Sequence, residues 1–418
     1  MRVLLVTYWE LTQMGGIWTY LRQLADHLTS LGVEVDIMGT NAASNEVYVR
    51  NLNHSFSKTK VWPMLQTKLN PTDLPQFTAD SLLAYYELNR YAFEMAAAYL
   101  GVNHYDIIHA QDPVAAVAMK RILGRNTPLV TSYHGALARE TFYDAQNSNP
   151  QLTLPTYLQS KRGRYFLSLE KRSAAQSELI LVSSHWIKST LTELNVPESQ
   201  FRLIPYAIDL PSYQASAAVK FRQKPPVGKK VIAFTGRLEY IKGVHVLINA
   251  LAGLKTLRSD WVCWIAGEGN LMEELRDQAS RMGVGDDVVF FGKLDNIPSF
   301  LRRADIYVQP SLQDTQPFSV TEAQLAGVPV IVSGTAGMPE MVDPANTGWV
   351  VPPQDANSLC SLLHALLEDD ATRKRVGIQA KARPSSIAHW KKWEGARYRF
   401  TKKPFREEGI PYDDPCTQ

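Results

Sequence analysis

The sequence predicts an α/β fold: two tandem doubly wound, Rossmann-like domains facing each other across a cleft. Two observations carry that expectation. Short apolar runs alternate with amphipathic stretches along most of the chain, the signature of repeated strand–helix units on a mostly parallel sheet. The alternation also starts twice, at Val3 and again at Val231, with a breaker-rich segment between. A length of 418 residues exceeds what one ordinary core organises and agrees with about two domains.

In the first half, the run over 3–6 reads as a strand, followed by a loop through Gly15-Gly16. Leu21, Leu24, Ala25 and Leu28 then fall at helical spacing in a helix predicted over 18–31, which Gly32 ends. Strands follow over 33–38, 107–109, 129–131, 179–183 and 203–205. The segment over 211–229, with Lys224-Pro225-Pro226-Val227-Gly228 as its strongest breaker, is expected to link the halves. The second half reads as strands over 231–235, 262–266, 288–291, 306–308, 328–332 and 349–351, with helices over 243–254 and 271–282.

Composition narrows the function. With 45% hydrophobic and 20% charged residues the chain describes a soluble globular protein. Forty-four Lys and Arg against 41 Asp and Glu leave +3, too little bias to argue for nucleic acid. Cys263, Cys360 and Cys416 lack metal-like spacing and favour a reducing cytoplasm. No apolar run approaches the roughly 20 residues that span a bilayer, and the short apolar start at 1–6 does not read as a secretion signal.

Three short segments of the second half follow apolar runs: Gly236-Arg237-Leu238-Glu239-Tyr240-Ile241-Lys242-Gly243, Gly267-Glu268-Gly269, and Asp314-Thr315-Gln316-Pro317-Phe318-Ser319-Val320-Thr321-Glu322. A turn between Arg237 and Lys242 can bring a guanidinium fork and an ammonium onto one diphosphate. Glycine at 267 lets a ligand approach the backbone closely. Phe318, Ser319 and Val320 open a predicted helix whose free amides favour phosphate. In the first half, Gly15 and Gly16 allow main chain to approach phosphate or sugar, and the imidazole of His134, after a strand, suits hydroxyl recognition better than forced proton transfer.

With these residues the chain resembles the GT-B-fold retaining glycosyltransferases of the GT4 (glycosyltransferase group 1) family. The resemblance runs from Gly15-Gly16 to about Tyr398, strongest over 231–352 and weakest over 40–100. It implies that Arg237 and Lys242 contact the phosphates of a nucleotide-diphosphate sugar, that Glu322 accepts the ribose hydroxyls, and that Leu294 meets the nucleobase through its backbone. It also implies that His134 meets the donor sugar through ring and backbone. Two Glu eight positions apart are usual in the family; here Asp314 replaces the first, about one methylene shorter, so the donor-sugar contact is where this chain departs. His109 and Asp112 are read only as shaping the acceptor side.

The implied reaction is a retaining transfer to a carbohydrate, lipid-linked or small-molecule hydroxyl, with no essential metal or cofactor, Arg237 and Lys242 neutralising the charge that Mg²⁺ offsets elsewhere. Residues 1–215 would form the acceptor-side domain, 216–385 the nucleotide-sugar domain, 386–400 a helix crossing back to the first, and 401–418 a flexible tail. Lys161, Arg162, Arg164, Lys171 and Arg172, interleaved with Phe166, Leu167 and Leu169, suggest weak peripheral contact with the inner membrane face, against a plain solvated helix. Two other functions fit the pattern less well. A noncatalytic nucleotide-sugar-binding scaffold would lose phosphate or ribose contacts, and a sugar-nucleotide epimerase would need acid/base carboxylates on both sides of the sugar.

Overall fold

The computed structural model describes residues 1–11, 16–50, 54–69, 80–124 and 127–387. Gly15, nearly all of the expected crossover over 386–400 and the tail over 401–418 lie outside the described residues. The first sheet holds β1 (Arg2–Glu10), β2 (Glu34–Thr40), β3 (Glu46–Val49), β4 (His54–Ser57), β5 (Ile107–Ala110), β6 (Leu129–Tyr133), β7 (Leu179–Val182) and β8 (Phe201–Leu203). Their spatial order is β4-β3-β2-β1-β5-β6-β7-β8, with β3 and β4 antiparallel additions to a parallel sheet. The second sheet holds β9 (Lys230–Thr235), β10 (Trp261–Ala266), β11 (Val288–Gly292), β12 (Ile306–Gln309), β13 (Val330–Ser333) and β14 (Gly348–Val351), all parallel in the order β11-β10-β9-β12-β13-β14. In both, the chain reverses its direction of progress beside the first strand, and loops at the carboxyl edge part there to leave a crevice.

Helices of the first unit are α1 (Gly16–Ser30), α2 (Trp62–Lys68), α3 (Ser81–Tyr99), α4 (Pro113–Ile122), α5 (Leu137–Ser148), α6 (Leu154–Gln159), α7 (Lys161–Gln176) and α8 (His185–Thr192). Then come α9 (Leu210–Ala218), α10 (Val244–Leu257), α11 (Met272–Arg281), α12 (Ile297–Leu301), α13 (Phe318–Leu325), α14 (Ala356–Glu368) and α15 (Asp370–Ile387). Strand side chains alternate between faces, so each sheet feeds two cores. Leu4 and Val6 of β1 join Ile108 and Ala110 under α3, α4 and α7, whereas Val3 and Leu5 join Ile107 under α1. In the second unit Ile232, Phe234, Cys263 and Ile265 pack under α10, α11 and α14, and Val231, Ala233, Val262 and Trp264 under α12 and α13. Each such Leu, Ile or Phe contributes about 1.5–3 kcal/mol relative to exposure.

One expectation changes. The segment over 211–229 opens with α9 rather than a linker, because Pro211 sits in the first turn, where its missing N–H costs nothing. Tyr213 of α9 donates to the Glu322 carbonyl at 2.8 Å, and Asn296 and Arg302 donate to the Ser216 and Ala217 carbonyls, so α9 packs on the second unit. The basic helix α7 turns Phe166 and Leu169 into the core and leaves Lys161, Arg164, Lys171 and Arg172 exposed. Among the described residues no helix is long and apolar enough to cross a membrane.

Candidate active site

Three loops leave the carboxyl ends of β9, β10 and β12 and lock onto one another. Gly267 has φ +143°, and a Cβ there would fall 1.8 Å from the Gly236 carbonyl oxygen; one at Gly269 would fall 2.3 Å from that of Leu238. Only glycine permits this approach, and it lets Leu238 donate to the Glu268 carbonyl while Leu271 donates back to Leu238. Gly267 thus serves the seating of the Arg237 loop. Gly243, at φ +70°, does the same against β12: its Cβ would meet the Pro310 carbonyl at 2.0 Å, and Leu312 donates to the Ile241 carbonyl nearby.

That clasp brings predicted cation and carboxylate together. Lys242 Nζ lies 2.6 Å from Asp314 Oδ2, both side chains less than one-fifth exposed, and Ser311 Oγ reaches the same oxygen at 3.4 Å. Aspartate is therefore long enough here to reach the ammonium. Arg237 pairs instead with Glu239 at 2.8 Å and is 54% exposed, a pair that water screens and a polyanion can displace. Glu322, on α13, is half-buried, and burial raises its carboxyl to about 7; among the described residues that carboxyl has no hydrogen-bond partner. An unpartnered carboxylate on a helix is a ready acceptor for two neighbouring hydroxyls.

The other predicted donor residues use their side chains for packing. The Phe318 ring stacks on Tyr206 with centroids 5.2 Å apart and planes at 11°. Ser319 donates to the Gln309 side chain at 3.1 Å, Val320 is fully buried, and Leu294 packs on the same core as Val320. What these positions can offer a ligand is main chain. Gly16 starts α1 and touches α13: a Cβ there would lie 3.3 Å from the Phe318 ring.

His134 faces this loop cluster from the first unit with its polar atoms already engaged. Gln111 donates its amide to the His109 carbonyl, so its oxygen faces His134 Nε2 at 3.1 Å; a carboxamide oxygen only accepts, and the proton is therefore on Nε2. Nδ1 accepts from the Tyr206 hydroxyl, and the His134 carbonyl accepts from Thr315 Oγ1 at 2.5 Å. Burial lowers the imidazole to about 4, keeping it neutral near pH 7. Its ring thus positions other groups in this arrangement. His109 is buried against Ser132 Oγ, and Asp112 caps α4 while accepting from Thr7 and the Tyr8 amide, so both are structural.

Sequence reasoning missed the fasteners between the units. Gln313 donates to the Ala136 carbonyl at 3.4 Å, Thr315 to His134, and Gln316 accepts the Tyr206 amide at 2.6 Å. Glu340 accepts the His185 and Trp186 amides at 2.8 Å each, sitting on the amino end of α8 where the helix dipole favours an anion. A cavity of about 100 Å³ lies beside these contacts, lined by Ser183, Tyr206, Gln316, Glu340 and Arg383 among others, and excludes Lys242, Asp314 and Glu322. Also missed was α5, whose Glu140 and Asp144 face the cation loop; only their spacing of four gave a signal.

Two family descriptions match: Glycosyltransferase Family 4 over residues 14–211 and Glycosyl transferases group 1 over residues 216–383. The chain is 28% identical over 289 residues to a glycogen synthase of Mycobacterium tuberculosis, covering 68% of this chain and 66% of that relative. It is 26% identical over 399 residues to an uncharacterised glycosyltransferase of Methanocaldococcus jannaschii, covering 91% and 93%. In fold it is similar to sucrose-phosphate synthase from Thermosynechococcus elongatus, with TM-score 0.70, 20% identity and coverage of 95% and 98%. The Anabaena protein HepE, in complex with UDP and glucose, gives TM-score 0.66, 19% identity and the same coverage.

Proposed function

Because the chain belongs to the GT4, or group 1, glycosyltransferases, we propose that it moves a sugar from a nucleoside-diphosphate donor to an acceptor hydroxyl with retention of anomeric configuration. The observation that carries this reading is the grouping of Lys242 and Asp314 at 2.6 Å with the unpartnered Glu322 carboxyl and Arg237 along one sheet edge. Arg237 exchanges its exposed Glu239 partner for the donor diphosphate. Lys242 shares its charge between Asp314 and the phosphate, and Glu322 takes the ribose hydroxyls. Asp314 is left one free oxygen for a donor-sugar hydroxyl.

In the reaction the acceptor oxygen attacks the anomeric carbon on the face from which the diphosphate departs. The anomeric C–O bond breaks with its electron pair going to the phosphate oxygen, and the acceptor proton passes to the departing diphosphate. Arg237 and Lys242 stabilise the charge that develops there, a role that needs no metal ion. The Gly267 and Gly243 clasps hold those cations in place beforehand, which is what gives preorganised charge its effect. Buried thiols at Cys263 and Cys360 agree with a reducing, cytoplasmic setting.

The test is release of nucleoside diphosphate from a panel of nucleotide sugars, UDP-sugars first because one structural neighbour was solved with UDP and glucose. Saturable release that survives EDTA is expected, with Arg237→Ala and Glu322→Ala each costing about 10²–10³-fold in kcat/KM while circular dichroism stays unchanged. An anomeric product of inverted configuration would sink retention. Full activity in both variants would sink the site, and tight donor binding without turnover would select the scaffold reading.

A further inference from the structure

The wall opposite Lys242 and Asp314 is acidic and aromatic. It is formed largely by α5, which packs against the turn Tyr240–Lys242. Glu140 and Asp144 lie one helical turn apart on the same face. Burial raises the Glu140 carboxyl, Arg237 and Lys242 pull it down, and Asp314 pushes it up again. Asp144 is the outer and more exposed of the two; partial burial and Glu239 raise it, and Arg237 pulls it back. Glu140 also lies on the main chain beside His134: a Cβ at Gly135 would fall 1.7 Å from its Oε1. Among the described residues neither carboxylate has a hydrogen-bond donor or ion-pair partner.

Aromatic rings continue the wall. Tyr86 meets Trp9 edge to face at 6.4 Å and Tyr85 at 6.3 Å, and both Asp144 and Glu140 act on its phenol. Tyr85 is 54% exposed. Cations of this unit nearby are already committed, Arg90 to Glu87 and Glu94, Arg162 to Asp80, and Arg139 to Glu193. A sugar ring offers C–H faces for aromatic rings and hydroxyl donors for carboxylates, whereas a phosphate offers neither and meets two like charges.

We propose that Glu140 and Asp144, with Trp9 and Tyr86, select a neutral, hydroxyl-rich sugar as acceptor and reject one carrying phosphate or carboxylate on the part that enters this wall. The inference rests on the glycosyl-transfer reading for its role. Glu140, between Gly135 and the Lys242–Asp314 pair, receives a hydrogen bond from an acceptor hydroxyl near the attacking one, and Asp144 receives one farther out.

The experiment uses the full chain with a saturating donor. Glucose, mannose, galactose and N-acetylglucosamine, with their 6-phosphates, serve as acceptors, and saturation-transfer NMR on the same saccharides reports binding without turnover. Binding and transfer should favour the neutral sugars. Glu140→Gln and Asp144→Asn should each raise acceptor KM about 10- to 100-fold with donor KM unmoved, and Glu140→Asp should recover part of the loss. A wild-type preference for the phosphorylated sugars, an unmoved acceptor KM in both variants, or a rise in donor KM instead would overturn the assignment. Neutral-saccharide binding without turnover of any donor would sink the transfer reading while leaving the acceptor wall standing; no saccharide binding at all would sink the wall.

Discussion

Glu322 and His134 face the cleft from opposite units, and burial acts on both against the charged form, raising the acid to about 7 and lowering the base to about 4. For Glu322 the folded value lies above the unfolded one, so its stabilising contribution is complete below the ordinary carboxylate range and is lost as pH rises through about 7. On the proposed assignment ribose hydroxyls donate to the ionised form, so donor binding has the opposite slope. Donor KM should fall as pH rises through about 7 and flatten above it, and Glu322→Gln should remove that dependence. His134 stays neutral through this range, so no inflection near its ordinary value should appear in kcat; one that vanished in a His134 variant would contradict the neutral imidazole described above. Arg237 and Lys242 could be singled out in sequence because they follow a strand recognisable from its apolar pattern, whereas Glu322, inside a helix, was singled out through the family resemblance. Glu140 and Asp144 were not, because their meaning depends on which face of α5 meets a loop about a hundred positions away.

At the scale of elements, glycine at 243 is the joint between the cation turn and the start of α10. Gly243→Ala forces a side chain into left-handed backbone, costing about 1–2 kcal/mol, and adds a clash with the Pro310 carbonyl. Urea unfolding should show a loss of at least that size, and donor KM should rise because Lys242 moves with the turn; a wild-type midpoint would refute the joint. Elements of the second unit were legible because central parallel strands are buried on both faces and read as unbroken apolar runs. The missed elements share a different physics. Helix α3 buries Glu87, Asn89 and Arg90 along with Phe93 and Ala96, its ion pair hiding the apolar stripe. The β3–β4 hairpin is short and polar-rich, and α9 begins with a proline that resembles a breaker.

For the whole molecule, the carboxylate of Glu340 is the most exposed fastener between the units, and its two amide partners belong to α8. Glu340→Ala removes an anion from a helix amino end and two charge-assisted hydrogen bonds, about 1–3 kcal/mol of closure. Small-angle scattering should show a larger radius of gyration, and kcat should fall more than donor KM rises, since the proposed contacts of Arg237, Lys242 and Glu322 lie within one unit; unchanged scattering and kcat would exclude Glu340 as a latch.

Gln313, Thr315 and Gln316 flank Asp314 and bind main chain of the first unit, while Asp314 binds Lys242 of its own. One strip of four residues therefore joins the seal between the units to the proposed sugar ligand. Chimeras that exchange the amino-terminal half between relatives to install a new acceptor would inherit mismatched main chain at His134, Ala136 and Tyr206, and the donor carboxylate would shift with the seal. Transplants that carry residues 313, 315 and 316 along with the donated half and keep Asp314 should retain their donor preference, whereas those cut at the interdomain junction should lose it.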